Sequence, residues 1–271
     1  MTKSVAWIFV SGALVATTAC SVTTKPGEID FKTQTKFTFP DETRTATSAW
    51  AGQAIRVENE GVNPNVNGDL KIIADGTDTI TATGGIVAYA DADDEASAKL
   101  TGAEAIQSFT LTDDGSTITI HCGHGNAHGS AGAAGSGCLD LTVHIPNGSE
   151  AQAVNLTANS GNGPVDITGP VYGSANVNST GSGDVSVALS PSVGSSSQII
   201  GGDAVTLYVP ATFSADTVQM GSKADPPAID TSDFPDLVNG GSYGTKGAGA
   251  AVIKVGSTGI LDSDVAALKR Q

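Results

Sequence analysis

The fold is decided by residues 154 to 209, which contain VNLTANSGNGPVDITG (154–169), ANVNSTGSGDVSV (175–187) and IIGGDAVTLYV (199–209). Aligning the glycines at 161, 181 and 201 superposes three apolar–polar–apolar triplets with a period of 20 residues. The triplets are Val165-Asp166-Ile167, Val185-Ser186-Val187 and Val205-Thr206-Leu207. Alternation at period two places the apolar side chains on one face of a strand. Such short strands bury that face only against stacked neighbours, so the repeat predicts a continuous core.

The same alternation appears on both sides of this stretch. Before it, apolar residues alternate within 55–57, 70–74, 118–120 and 139–145, and after it within 252–255. The glycine just ahead of each triplet is expected to permit a sharp turn. Residues 92–100 are interpreted as a helical turn or a polar loop, and 262–271 as a short terminal helix. The sequence therefore predicts an all-β domain over residues 54–271, a β-solenoid with about 20 residues per repeat.

The first 19 residues resemble a lipoprotein signal peptide. Lys3 precedes the apolar run VAWIFVSGALV (5–15), which is shorter than the roughly 20 apolar residues of a membrane-spanning helix. Thr17-Thr18-Ala19 and then Cys20 resemble a lipobox, which implies cleavage before Cys20 and its acylation by a fatty acid such as palmitate. The alternative is ordinary secretory cleavage near Ala19, which leaves Cys20 as a free thiol.

Residues 20–53 are predicted to be the acylated N-terminus and a flexible tether. This segment is rich in Thr and Lys and contains Pro26 and Pro40. A short strand at 29–32 or 36–39 is the alternative within it. Such a tether would hold the domain away from the membrane.

The charge balance restricts the partners. The chain has 13 Lys and Arg against 28 Asp and Glu, a formal net charge of −15. A surface this acidic repels nucleic acid, so no nucleic-acid partner is expected. The expected partners are the membrane, through the N-terminal lipid, and an envelope glycan or protein.

The two motifs NSGNGPV (159–165) and STGSGDV (179–185) resemble the recurring turn and strand of the DUF4097 family, the adhesin-type or "toastrack" β-repeat domain. The resemblance covers roughly residues 54 to 261, including the strand IRVENE (55–60). It implies an exported β-solenoid-like body on a lipid or membrane anchor. It carries no catalytic residues over to this chain.

Two cysteines border a loop rich in Gly, Ala and His. Cys122 and Cys138 are predicted to form a disulfide, because an exported chain enters an oxidising compartment. The rival interpretation is a zinc or copper site, with His121, His124 and His128 and the two cysteine thiolates as its candidate ligands. Their spacing matches no standard zinc finger, and a disulfide would remove both thiolates. No metal and no cofactor is therefore predicted, although weak binding by the histidines stays an alternative.

Two further alternatives concern calcium and catalysis. Asp166, Asp184 and Asp203 lie near the repeated glycines, but calcium-binding β-rolls need a nine-residue period and a constant offset. The sequence contains no catalytic motif, so the protein is predicted not to be an enzyme and no catalytic residue is proposed.

The sequence thus predicts a structural or adhesive lipoprotein of the cell envelope, anchored in the outer membrane. A periplasmic envelope-stress sensor or accessory protein is the second hypothesis. An enzyme acting on envelope polysaccharide is the third.

Overall fold

The structure is a computed structural model. It describes residues 18–25, 28–62, 68–91, 94–129, 134–161, 163–181, 183–213, 215–224, 228–235, 237–239, 243–244, 251–256 and 264–271. The predicted signal peptide lies outside the described residues, apart from Thr18 and Ala19. The all-β prediction is confirmed at the level of class, because strands dominate the described chain and a single helix accompanies them.

The first nine strands and the helix lie between residues 18 and 160. They are β1 (Thr18–Lys25), β2 (Glu28–Ala49), β3 (Ala54–Asn59), β4 (Asp69–Ala74), β5 (Thr79–Asp91), α1 (Glu95–Ser108), β6 (Thr110–Asp113), β7 (Thr117–Cys122), β8 (Gly135–Ile145) and β9 (Val154–Ser160). The remaining strands are β10 (Val165–Ser179), β11 (Val185–Pro191), β12 (Ser196–Ile200), β13 (Ala204–Val209), β14 (Ala215–Met220), β15 (Ala228–Asp230), β16 (Val238–Asn239), β17 (Tyr243–Gly244), β18 (Ala251–Val255) and β19 (Val265–Arg270).

Seventeen of these strands form one mixed sheet, in which the parallel strands make two ladders. The first ladder runs β7, β3, β9, the second half of β10, β12, β18 and β14. The second ladder runs β8, β4, the first half of β10, β11, β13, β19 and β15. Each strand of the first ladder is followed along the chain by its counterpart in the second. We call each such pair of strands a rung.

The order of the rungs in space differs from their order in the chain. The pair β3–β4 comes first in the chain, yet it lies between β7–β8 and β9–β10. The pair β18–β19 comes last, yet it lies between β12–β13 and β14–β15. The first and the last rung of the chain are therefore each inserted one rung inside the stack.

The predicted 20-residue register is confirmed in the second ladder. Val165 lies beside Val185, and Val185 beside Val205, in parallel pairing. In the first ladder the offset changes, because Leu156 lies beside Ala175 and Asn176 beside Gln198. The turns that lead back from the second ladder to the first differ in length, so the period holds on one side of the core only.

One hydrophobic core unites the two ladders. Its members come from alternate positions of both, including Val57 and Ile120 of the first ladder and Ile72 and Val187 of the second. The burial pattern of the strands follows the predicted alternation; in β13, for example, Val205, Leu207 and Val209 are fully buried. Burial of a side chain of this size contributes roughly 1.5–3 kcal/mol, so these alternating positions are the main stabilising feature.

The segment predicted as a tether is largely the strand β2, which corrects the tether prediction and includes both 29–32 and 36–39, the positions given for a short strand as the alternative. Along most of its length β2 pairs antiparallel with β5, and β5 pairs antiparallel with β8, so both strands extend the second ladder. The register shifts between Thr38 and Thr43, where Pro40 lacks the N–H that a regular ladder needs. The Thr-rich composition that suggested a tether is also typical of a strand.

The helical alternative for residues 92–100 is confirmed from Glu95 onward, but the helix α1 continues to Ser108 and is longer than the single turn predicted. The side chain of Asp94 accepts from the Ser97 N–H and caps the first turn. The buried residues Ala98, Thr101, Gly102 and Ala105 follow the helical spacing i, i+3, i+4, i+7, but they are too small and polar to form a recognisable apolar stripe. The predicted terminal helix is also wrong, since β19 is a strand between β13 and β15. The described part of the chain contains no helix long and apolar enough to cross a membrane.

Candidate functional site

The two cysteines predicted to form a disulfide are brought together at the ends of the loop between β7 and β8. Cys122 and Cys138 are fully buried and at disulfide distance, with 6.1 Å between their Cα atoms. Cys122 ends a strand of the first ladder and Cys138 lies in a strand of the second. A bond between them ties the two ladders together at the terminal parallel rung.

Glu60, the residue after β3, holds the beginning of this loop. Its Oε1 lies 3.1 Å from His121 Nε2, and its Oε2 lies 2.7 Å from His124 Nδ1. The His124 N–H also donates to Glu60 Oε2, at 3.3 Å. A single carboxylate thus contacts two imidazoles and one backbone amide.

Glu104 on α1 holds the middle of the loop in the same way. Its Oε1 lies 3.0 Å from His128 Nε2, and its Oε2 accepts from the Asn126 N–H at 2.7 Å. The loop is therefore held between two elements, the end of β3 and the helix.

A small buried hydrogen-bond network seats the loop against α1. The Ser136 hydroxyl lies 2.7 Å from the Thr101 hydroxyl and donates to the Thr101 carbonyl at 2.6 Å. The Gly125 N–H donates to Ser136 Oγ at 3.2 Å. A β-carbon at Gly125 would lie 2.1 Å from the Thr101 carbonyl oxygen, so only glycine allows this approach.

The contacts change the acidity of both carboxyl groups. Partial burial raises the pKa of Glu60, but the hydrogen bond with His121 and the charges of His124 and His121 outweigh it, so its pKa lies below the ordinary value. The hydrogen bonds with His128 and with the Asn126 amide lower the pKa of Glu104. Both groups therefore stay ionised to a lower pH than a free glutamate would.

The candidate metal ligands are not brought together. His121 and His124 converge on Glu60, whereas His128 contacts Glu104, and both cysteine sulfurs lie within disulfide distance of each other. Within the part of the chain that the structure describes, no group of three or more His, Cys, Asp or Glu side chains has the arrangement of a metal site. The weak-metal alternative thus finds no preformed site among these residues.

The three aspartates near the repeated glycines each have a separate partner. Asp166 lies between Lys71 and Ser186 in the second ladder, and Asp184 Oδ1 accepts from the Ala204 N–H at 3.1 Å. The Asp203 carbonyl accepts from the Asp264 N–H. They act as ordinary strand and turn residues.

Sequence reasoning missed the two glutamates. Glu60 is 61 residues from His121, yet the pairing of Asn59 with Cys122 places it beside the loop. An alignment of the two alternating sequences at 55–59 and 118–122 would have placed Glu60 next to the start of the loop. No comparable signal pointed to Glu104, because its helix was not predicted.

The backbone of Cys20 lies in β1, where its register partner is Thr33 of β2. Its acylation stays a prediction.

Comparison with known proteins adds no relative. No protein-family model matches the chain, and neither the curated proteins nor the solved structures contain a significant match. The resemblance to the DUF4097 family therefore rests on the two glycine motifs and stays a prediction.

Proposed function

We propose that this protein is an exported, lipid-anchored β-solenoid with a structural or adhesive role at the outer membrane. The observation that carries the proposal is the stack of seven parallel rungs over one core. At about 4.8 Å between strands the stack is roughly 30 Å long. A body of this kind is suited to holding loops in fixed positions rather than to enclosing a small substrate.

The outer face of the first ladder supports a binding role. Its central strands present a row of uncharged polar side chains, with Thr157 beside Asn176 and Asn176 beside Gln198. In the neighbouring row Asn159 lies beside Asn178. In the first row Arg56 lies beside Thr157 and Lys254 beside Gln198. In a chain with a net charge of −15, this row of amides and hydroxyls with a cation on each side can approach a neutral or acidic envelope polymer without strong repulsion.

The pairing of β1 changes where the lipid would be attached. If cleavage precedes Cys20, the mature chain begins inside β1, because Cys20 pairs with Thr33 of β2. The next residue of β2, Gln34, pairs with Asp91 of β5. The acyl chains would then start next to the folded body instead of at the end of a long tether. The envelope polymer bound by such a protein would be close to the membrane surface.

Anchoring is tested by mass spectrometry of the mature N-terminus from the membrane fraction. We expect loss of residues 1–19 and an acyl mass on Cys20. The Cys20→Ala variant should lack the acyl mass and leave the membrane fraction. An unmodified thiol at Cys20 in the wild type would contradict lipid anchoring.

The role is tested by protease shaving of intact cells, with a periplasmic protein as the control. Loss of the protein while the control survives, together with binding of the purified body to cells or glycans, supports adhesion. Cleavage only after the envelope is opened favours the periplasmic accessory role. Release of reducing sugars from envelope polysaccharide would identify an enzyme instead.

A further inference from the structure

The strand β2 has an unpaired edge near its C-terminal end. Residues 43–49 of β2 pair with residues 79–85 of β5, and among the described strands none pairs with the other edge of this segment. The hairpin partner β1 reaches only residues 28–35 of β2. Because the N–H and C=O groups of a strand alternate between its two edges, about half of those in 43–49 point away from β5.

The side chains of this segment are open to solvent. Ala46 and Ser48 are only half-buried, although their register partners on β5 are fully buried in the core. The positions between and beside them are exposed, namely Thr45, Thr47 and Ala49. The core-facing side of this strand therefore lacks a neighbour along its outer edge.

This edge also lacks the features that protect other edges of the sheet. Charged side chains, prolines and bulges discourage edge strands from pairing, but residues 45–49 (TATSA) contain no charge and no proline. At the opposite end of the stack, the register of β14 with β18 shifts at the exposed Asp216. The last strand of the second ladder, β15, has three residues and follows Pro226 and Pro227. One end of the stack is therefore protected, whereas the β2 edge is free to pair.

We propose that this edge pairs with the same edge of a second copy of the chain, antiparallel about a two-fold axis at Ala46. Position 45 of one copy then faces position 47 of the other, and position 44 faces position 48. The sheet continues from one copy into the other, so the outward amides find partners and the half-buried side chains are covered. The inference goes beyond the structural or adhesive role and does not depend on it.

The segment is complementary to itself in this register. The register pairs the whole of 43–49, and it brings Thr45 opposite Thr47 twice, a combination that stabilises paired strands. The only charged residue, Arg44, faces the neutral Ser48. The two Arg44 positions are four residues apart, about 14 Å along the strands, which exceeds the screening length at physiological salt. A shift by one residue would place core-facing side chains opposite solvent-facing ones.

The charge of the molecule favours this surface over others for self-association. At a net charge of −15, most surfaces of two copies repel each other, but residues 43–49 contain no carboxylate. The contact involves seven residues per copy, fewer than the roughly 20–30 residues on each side of a standard interface. We therefore expect a reversible dimer with a dissociation constant in the micromolar range.

The experiment is sedimentation equilibrium of the chain from residue 20 onward with Cys20→Ala, which removes the acylation site and a thiol that could cross-link two copies. The average mass should rise from one chain toward two with concentration. Thr45→Lys combined with Thr47→Lys places cations opposite one another and should weaken dimerisation by about 10-fold. Thr45→Glu combined with Thr47→Lys should restore it, because a carboxylate at position 45 then faces an ammonium at position 47 of the other copy.

The matched control is Asn155→Lys combined with Asn176→Lys. It adds the same two charges at exposed positions of the central strands β9 and β10 and should leave dimerisation unchanged. Circular dichroism of each variant establishes that it is folded.

Cysteine cross-linking tests the register directly. Two copies of Ala46→Cys would face each other at the axis, about 4.5–5.5 Å apart between Cα atoms, which allows a disulfide. Two copies of Thr45→Cys would be about 8 Å apart, which is too far. Under mild oxidation Ala46→Cys should therefore give covalent dimer much faster than Thr45→Cys.

Three results would overturn the proposal. The first is a monomer at every concentration up to the solubility limit, including a monomer whose edge instead captures an extended segment of another protein. The second is a dimer that the paired lysine substitutions at positions 45 and 47 leave unchanged. The third is equal cross-linking of Ala46→Cys and Thr45→Cys.

Discussion

Gly183 lies directly against Gly163 in the neighbouring rung. A β-carbon built on Gly183 would lie 2.4 Å from both the carbonyl carbon and the carbonyl oxygen of Gly163. A β-carbon built on Gly163 would in turn lie 2.1 Å from the carbonyl oxygen of Gly68. These motif glycines do not have the left-handed φ that a turn requires, so it is the close stacking of rung corners that excludes a side chain.

The first prediction separates this steric requirement from a conformational one. Gly183→Ala should destabilise the fold by about 2–3 kcal/mol, because its clash is with backbone that cannot rotate away. Gly194→Ala is the matched control: its φ is +75° and nothing lies within 4 Å of the added carbon, so only about 1–2 kcal/mol of backbone strain is expected. Urea denaturation measures both, and a larger effect at Gly194 would refute the stacking argument.

The second prediction tests the inward and outward faces of the repeat. Val185→Asp places a charge in the core, where the side chain is 1% exposed, and should destabilise the fold by several kcal/mol. Asp184→Asn is next to it and keeps an oxygen that can accept from the Ala204 N–H, so we expect little change. Melting temperatures compare the two, and equal values would mean that the faces are assigned wrongly.

The third prediction concerns the disulfide. Replacing both Cys122 and Cys138 by Ala should destabilise the protein by about 3 kcal/mol, since the 16-residue separation closes a loop of moderate length. Reduction of the wild type should lower the melting temperature about as much as the double substitution does. Peptide mapping without reductant should recover the two cysteines in one linked peptide, whereas alkylation of both would contradict the bond.

The fourth prediction follows from the insertion of the last rung. Deletion of residues 264–271 removes β19, which is the partner of β13 on one side and of β15 on the other. Amide exchange should then accelerate in β13 and β15 together, although the deleted residues are more than 30 positions away from β15 in the chain. Deletion of Gln271 alone is the control, and unchanged protection in β15 would exclude the observed strand order.

The fifth prediction concerns the ion pair that joins β15 to β19. The hydrogen bond from Lys269 Nζ, at 2.5 Å, and the Ser232 amide lower the pKa of Asp230 well below the ordinary range, and the same contact raises the pKa of Lys269. Lys269→Gln should move the Asp230 pKa upward in a carboxyl NMR titration. Because the folded pKa is depressed, stability from this pair is present above the ordinary aspartate pKa and falls as the pH drops through the folded value.

Some elements followed from the sequence and others did not, for identifiable reasons. The triplet register and the cysteine pair were predictable, because each depends on a local pattern or on two residues of one type. The helix α1 was not predictable from apolar periodicity, because small residues such as Ala98 and Gly102 form its buried face. The strand β2 resembled a tether because its pairing partner, β5, begins 30 residues after its own C-terminal end.

By itself the sequence determined the strand class, the alternation that buries one face, and the 20-residue register of the second ladder. These properties follow from the chemistry of neighbouring residues, which is local. Only the tertiary structure decided the order of the rungs and the contacts of His121 and His128 with Glu60 and Glu104. The rung order and these contacts depend on which apolar faces and unpaired strand edges remain to be covered after the local strands form. Residues far apart in the chain therefore meet.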